Sequence, residues 1–262
     1  MTKLSYECDM LGDSAIVIRL GADIDLSILN RVRQVTAYLE NNRFEGFTEI
    51  VTAYTTITIY YDSFQVYNYY SEEGTTRKNG RASWTNTLLP YDIVLLHIQN
   101  LLHKFEHTNE VHINEPGTTI EIPVCYSEDY GPDLADVAAY HRVSKEEIVH
   151  LHTSQIYPVY MIGFAPGFPY LGGLDDQLAT PRKSVPRTRI PVGSVGIGGA
   201  QTGIYPFETP GGWNLIGRTP LALFRPESDP PSLLKVGDQV RFVSITAEQF
   251  QYEKERNMGN GL

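Results

Sequence analysis

Ala15 to Leu20 is a short apolar run broken only by Arg19, which predicts a strand. From about Leu26 to Leu39 the spacing lengthens, and Ile28, Val32, Val35 and Leu39 fall on one face of a helix. Period two marks Thr56 to Tyr61, where Ile57, Ile59 and Tyr61 share one side, and EIVTAY just before it reads as the paired strand. A second amphipathic helix, Asp92 to about Phe105, aligns Leu95, Ile98, Leu102 and Phe105. The order β-α-β-β-α predicts an open antiparallel sheet with helices packed on one face, an α+β N-terminal domain over residues 1–112. Within it the stretch from about 71 to 90, SEEGTTRKNGRASWTNTLLP, is polar, mixed in charge and rich in turn residues, and reads as a long loop.

A polar connection near His112 to Thr118, with Pro116 and Gly117, marks the expected domain boundary. A strand begins at Ile120. Two short helices follow, one opening at Asp133 and one at Ser144, with Glu147 three residues on in the pattern of a capping box. VYMIGF, Val159 to Phe164, reads as a buried strand. The segment Gly163 to Pro220 then holds 12 of the chain's 22 glycines and 8 of its 16 prolines. Helices cannot occupy such a segment, whereas short strands joined by tight turns can. With VGDQVRFVSIT as a last strand, residues 113–262 read as a mostly-β, barrel-like domain that ends in a charged tail after Ala247.

Composition narrows the class. The 262 residues, 42% hydrophobic and 20% charged, suit a soluble globular chain, and no apolar run reaches the ~20 residues that span a bilayer. The first 20 residues mix Glu7, Asp9 and Asp13 with alternating apolar positions, unlike a signal peptide, and Cys8 and Cys125 are too few for a disulfide framework. A cytoplasmic location is expected. A net charge of −10 disfavours nucleic acid and anionic membranes as partners. Yet Gly163 to Pro220 carries Arg182, Lys183, Arg187, Arg189 and Arg218 against Asp175, Asp176 and Glu208, a local excess of positive charge suited to an anion.

Candidate chemistry gathers in that segment. GFAPGFPYLGG, Gly163 to Gly173, sets glycines and prolines around Phe164, Phe168 and Tyr170; this suits a ligand-contacting wall, and equally a turn whose aromatics plug the core. Four basic residues lie between Arg182 and Arg189, either as a guanidinium clamp for carboxylate or phosphate or as a solvated basic loop. GSVGIGGAQTG lacks both the dinucleotide fingerprint and a Walker A lysine, which leaves Gln201, Thr202 and Tyr205 as polar groups beside glycine amides. Trp213 beside Pro-Gly-Gly forms a binding wall or fills the core. No metal site is expected: all seven histidines precede Gly163, and His103 and His107, four apart on a helix, lack a third ligand. His152 leads into the glycine-rich segment and, with Arg187 and Glu208, is a candidate acid, base or catalytic group, alongside the reading of His152 as a structural histidine. Neither a GxSxG elbow nor a local Cys-His pair supports a self-contained nucleophile.

VYMIGFAPGFPYLGGL, TPRKSVPRTRIPVGSVGIGGAQTGIYPFETPGGWNLIGRTP and VGDQVRF resemble the family of the 5-oxoprolinase B subunit (PxpB), KipI and allophanate hydrolase subunit 1-like proteins. The resemblance is strong from Ile120 to Thr246 and looser through LGDSAIVIRLG and GFTEIVTAYTTITIYYD. It implies a cyclophilin-like β-barrel in the C-terminal half. It also implies a PxpC- or KipA-like partner and, with a PxpA-like companion, ATP-dependent opening of 5-oxoproline to glutamate, the ATP and its Mg being held by the complex. One branch instead inhibits a sporulation histidine kinase, and another belongs to allophanate or urea amidolyase chemistry. The family's usual YGGE(Y/F)GPDL reads here Tyr126, Ser127, Glu128, Asp129, Tyr130, Gly131, Pro132, Asp133, Leu134, with two glycines replaced and Asp129 in the place of Glu. The expectation is an enzyme subunit, inactive alone, in which Arg182, Arg187, Arg189, Gln201, Thr202, Tyr205 and Trp213 line one anion-binding pocket. A prolyl isomerase is the weakest reading, since fold does not confer function.

Overall fold

The structure is a computed structural model that describes residues 4–23, 25–75, 88–107 and 117–259. It divides into two compact units, Met1–Glu115 and Pro116–Leu262. The first contains β1 (Glu7–Met10), β2 (Ala15–Arg19), α1 (Leu26–Glu40), β3 (Phe47–Ala53), β4 (Thr56–Tyr61), α2 (Ser63–Thr75) and α3 (Pro90–His107). Its sheet runs β1-β2-β4-β3, antiparallel throughout. The alternation in β4 buries Ile57, Ile59 and Tyr61 against Val32, Val35 and Leu39 of α1 and Val94, Ile98 and Leu102 of α3. Asp25 starts α1 by accepting the amides of Ser27 and Ile28 at 2.7 and 3.0 Å, which satisfies donors that a helix start leaves open.

Two features depart from the expected layout of this unit. β1 is an additional edge strand, whose pattern is too exposed to announce itself. The loop expected over about 71 to 90 is helical at its start, because α2 runs to Thr75 and α3 already begins at Pro90; residues 76–87 lie outside the described residues. The boundary expected between residues 112 and 113 also lies outside them.

In the second unit β5 (Thr119–Cys125) leads to α4 (Leu134–His141) and α5 (Lys145–Ser154). The strands β6 (Ile156–Ile162), β7 (Pro169–Leu171), β8 (Arg187–Ile190), β9 (Ser194–Gly198), β10 (Gln201–Ile204), β11 (Thr209–Gly211), β12 (Asn214–Arg218) and β13 (Gln239–Ile245) follow, and α6 (Ala247–Gly259) ends the chain's described part. Seven strands close a barrel in the order β10-β7-β6-β13-β5-β12-β9, with β9 pairing back to β10. Closure leaves no unpaired edge. β13 runs parallel to β5 in unbroken register from Gln239 opposite Thr119 to Ile245 opposite Cys125. Ile122, Val124, Val159, Val195, Ile197, Ile204, Val240 and Phe242 fill the interior, and Leu134, Val137, Ala138 and Ile148 of α4 and α5 join the same core. β8 and β11 form a separate two-stranded ribbon.

Ser144 caps α5 as its sequence pattern requires, accepting the Glu147 amide at 3.1 Å. The expected charged tail is instead α6. Its start is a reciprocal box, with Thr246 N–H donating to Gln249 Oε1 at 2.8 Å and Gln249 N–H to Thr246 Oγ1 at 3.2 Å, and Phe250 anchors it in the interior. Among the described residues no helix is long and apolar enough to cross a membrane.

Candidate functional site

The glycine-rich strands are shaped around Trp213. A Cβ on Gly198 would stand 2.4 Å from Trp213 Cδ1 and Nε1, and one on Gly203 would meet Trp213 Cζ3 at 3.0 Å. The indole therefore lies flat on the outer face of β9 and β10, where any side chain would displace it. Phe168 and Tyr205 enclose it with ring centroids 5.7 and 6.3 Å away, and Tyr170 stands at 6.3 Å. Trp213 is only 4% exposed, so it serves as a platform beneath other groups rather than as an open wall.

Arg182 sits on that platform, its guanidinium carbon 5.9 Å from the indole centroid, at the outer limit of a cation-π contact. Among the described residues it has no carboxylate within ion-pair distance. Its charge reaches both neighbouring phenols. Burial pushes Tyr205 up to about 12, against the pull of the Trp213 backbone N–H and of Arg182; burial likewise raises Tyr170, again opposed by Arg182. Both phenols stay protonated near neutral pH.

The residues that follow Arg182 are tied down by a buried carboxylate that the sequence presents only as a helix start. Asp133 Oδ1 accepts from Lys183 Nζ at 2.8 Å and Arg187 Nη2 at 2.7 Å, while Oδ2 accepts the Leu215 amide at 2.7 Å. Its own N–H donates to the Leu215 carbonyl at 2.9 Å. Burial would raise this carboxyl, but the hydrogen bonds from Arg187, Lys183 and Leu215 outweigh it and hold the group below the usual carboxylate range. One side chain thus ties the 182–187 loop to β12 and α4. Asn214 adds a second tie by donating both amide protons, to the Pro181 carbonyl at 2.9 Å and the Ile197 carbonyl at 3.3 Å.

Between this loop and α4 opens a cavity of about 310 Å3. Asp136 and Tyr140, four residues apart on one helix face, form one wall; Arg182, Lys183, Ser184 and Asn214 form the other. Thr180 also contributes to the lining. Its hydroxyl donates to the Leu178 carbonyl at 2.9 Å and therefore accepts from His141 Nε2 at 3.0 Å.

The residues expected to share one pocket are distributed over several places. Arg182 lines the cavity and covers Trp213, with Tyr205 beneath. Arg187 is committed to Asp133, and its Nη1 is buried without a partner. Arg189 and Glu208 pair with each other at 2.6 Å on the solvent side of the ribbon, which removes both from a shared pocket. Gln201 is half-buried at the start of β10, opposite Gly198. The glycines expected as exposed amide groups are buried at Gly196 and Gly198, because Trp213 covers them.

His152 and Thr202 lie on the opposite side of the strands, in the barrel core, rather than along a pocket. His152 is 0% exposed, and burial alone drives it down to about 3. The neutral ring's tautomer follows from its partners. Thr202 Oγ1 gives its proton to the Gly196 carbonyl at 3.0 Å and so accepts from His152 Nε2 at 3.0 Å; Nδ1 then accepts the Tyr126 hydroxyl at 2.8 Å. Stacked on Phe242 at 4.4 Å, the ring has no route to solvent or substrate and serves as a core strut.

The sequence profile of the carboxyltransferase domain, subdomain C and D, matches residues 6–234. The 5-oxoprolinase B subunit of Bacillus subtilis (strain 168) is 44% identical over 252 residues, 96% of this chain and 98% of that one. The protein of the same name from Escherichia coli O157:H7 is 39% identical over 237 residues, 90% and 94% of the two chains. Among solved structures, TTHA0988 superposes with a TM-score of 0.68 at 30% identity, matching 89% of this chain and 40% of its own; this chain thus spans less than half of that polypeptide. Kluyveromyces lactis urea amidolyase shares the fold, with a TM-score of 0.69 at 19% identity over 97% of this chain and 16% of its own. By these matches the chain belongs to the carboxyltransferase-domain subdomain C and D family, and within it to the family of the 5-oxoprolinase B subunit.

Proposed function

We propose that this chain is the B subunit of an ATP-dependent 5-oxoprolinase complex that opens 5-oxoproline to glutamate, and that it is inactive without its companions. The observation that carries this reading is end-to-end similarity, 44% over nearly the whole of both chains, to a protein named for that role. The site supports it chemically. 5-Oxoproline is a small carboxylate with a lactam. Beside the cavity Arg182 offers a guanidinium with no carboxylate partner among the described residues, over an aromatic platform and on a loop that Asp133 and Asn214 tie at Lys183, Arg187 and Pro181.

No phosphate-binding glycine loop is present in the sequence, and among the described residues no three His, Cys, Asp or Glu side chains converge as a metal site. We assign ATP to PxpC- or PxpA-like companions. The test is reconstitution: the chain with its two companions should release glutamate and ADP from 5-oxoproline, whereas the chain alone should not. A complete, assembled set that leaves 5-oxoproline intact overturns the reading. The same set turning over urea-1-carboxylate instead would place the chain with the amidolyases.

A further inference from the structure

The cavity between α4 and the 180–184 loop carries more than a carboxylate site needs. Arg182, Lys183 and Ser184 gather donors on one wall. Opposite stands Asp136, which a simple anion site would exclude. Its side chain is 73% exposed and its nearest cation, Lys183 at 3.7 Å, sits closer to Asp133 at 2.8 Å, so the Asp136 charge is only loosely countered. Asn214 strengthens the acceptor side. Both its amide protons go to backbone carbonyls, which can only accept, so the group it can turn to a ligand is its carbonyl oxygen. Tyr140 adds an exposed aromatic ring on the same helix face as Asp136, suited to cover an ammonium or the short aliphatic chain that bears it.

We propose that this cavity is a zwitterion site that binds a free α-amino acid, its carboxylate on Arg182 and Ser184 and its ammonium between Asp136 and Asn214. The volume, at the lower end of the roughly 300–1,000 Å3 of small-molecule sites, fits a ligand of that size. The zwitterion requirement follows from the cavity alone. Choosing glutamate among amino acids rests on the functional reading above, in which the lactam nitrogen of the substrate carries no charge and the product has gained an ammonium. The site therefore discriminates product from substrate.

Calorimetric titration of the full chain with L-glutamate, glutarate and 5-oxoproline tests this. L-Glutamate should bind with a Kd of about 1 mM or tighter, and glutarate and 5-oxoproline, which lack the ammonium, about tenfold more weakly. Asp136→Asn should weaken glutamate about tenfold and leave glutarate unchanged, while Arg182→Gln should weaken both. Asp136 and Arg182 are solvent-exposed, so both variants keep the fold, which circular dichroism verifies. Absence of saturable glutamate binding, or equal binding of all three compounds, overturns the proposal. A reconstituted complex that makes glutamate from 5-oxoproline while this chain binds none would defeat the zwitterion site and leave the functional reading intact. Binding by the chain beside an inactive assembled complex would do the reverse.

Discussion

Asp133 and His152 are both buried titratable groups, yet acid acts on them in different ranges. His152 has its folded pKa depressed to about 3 from an unfolded value of 6.5, so the unfolded chain binds the extra proton and stability falls as pH drops through 6.5 towards 3. The loss between pH 7 and 5.5 is about 1.3 kcal/mol from this residue. Asp133 is held below its ordinary carboxylate value, so its contribution is complete above about 3.8 and disappears only as pH falls through the lower folded value. Urea unfolding at pH 7 and 5.5 separates them. His152→Phe should be less stable at pH 7, because the Tyr126 hydroxyl loses its acceptor, but its stability should change less on acidification. Parallel acid limbs for wild type and variant would refute the buried neutral imidazole. Asp133→Ala should cost about 3 kcal/mol at pH 7, at the lower end for a broken buried ion pair because Lys183 and Arg187 keep 29% and 28% of their side-chain surface exposed. It should leave the slope between pH 7 and 5.5 unchanged.

At the level of elements, strict periodicity is readable in the sequence and its absence is not. α1, β4 and α3 each follow one period cleanly and β2 is a short apolar run, and all four lie within one or two residues of where the sequence puts them. α2 opens SFQVYNYY, rich in aromatics that favour strands, and α6 is so polar that only its Thr246–Gln249 box and Phe250 mark it as a docked helix. That box gives a direct test: Thr246→Ala should lower stability by about 1 kcal/mol and reduce helical ellipticity, and an unchanged unfolding midpoint would show the cap to be idle. The site is legible in composition but not in arrangement. Arg182, Tyr205 and Trp213 do meet, whereas Arg189 and Glu208 neutralise each other and Thr202 turns inward, because alternate strand residues face opposite sides and a segment's charge count cannot say which. Asp133, Asp136, Tyr140 and Asn214 do not stand out as site residues, since long-range partners leave no local pattern. The glycines look like open backbone along the chain, yet they are seats for an indole. Gly198→Ala should therefore cost about 1–3 kcal/mol and change the near-UV spectrum of Trp213, and Trp213→Ala should make the second substitution nearly neutral. Full additivity of the two changes would show that the indole does not rest there.

For the whole molecule, the decisive fact is that, among the described residues, each hydrophobic core is built from one unit. The residues packed with Ile57 and Ile98 all precede Glu115, and those packed with Val159 and Phe242 all follow Pro116. A core that is complete within its own stretch of chain, in a barrel with no free edge, has what it needs to fold by itself. The cavity, its ties through Asp133 and Asn214, and the indole platform also lie wholly within Pro116–Leu262. Residues 116–262 produced alone should unfold cooperatively, show dispersed amide resonances, and bind L-glutamate within about twofold of the full chain's affinity. A fragment that stays unfolded would show that the barrel depends on the first 115 residues. A folded fragment with lost binding would mean that the first unit shapes the site, which the confinement of every site residue to one core argues against.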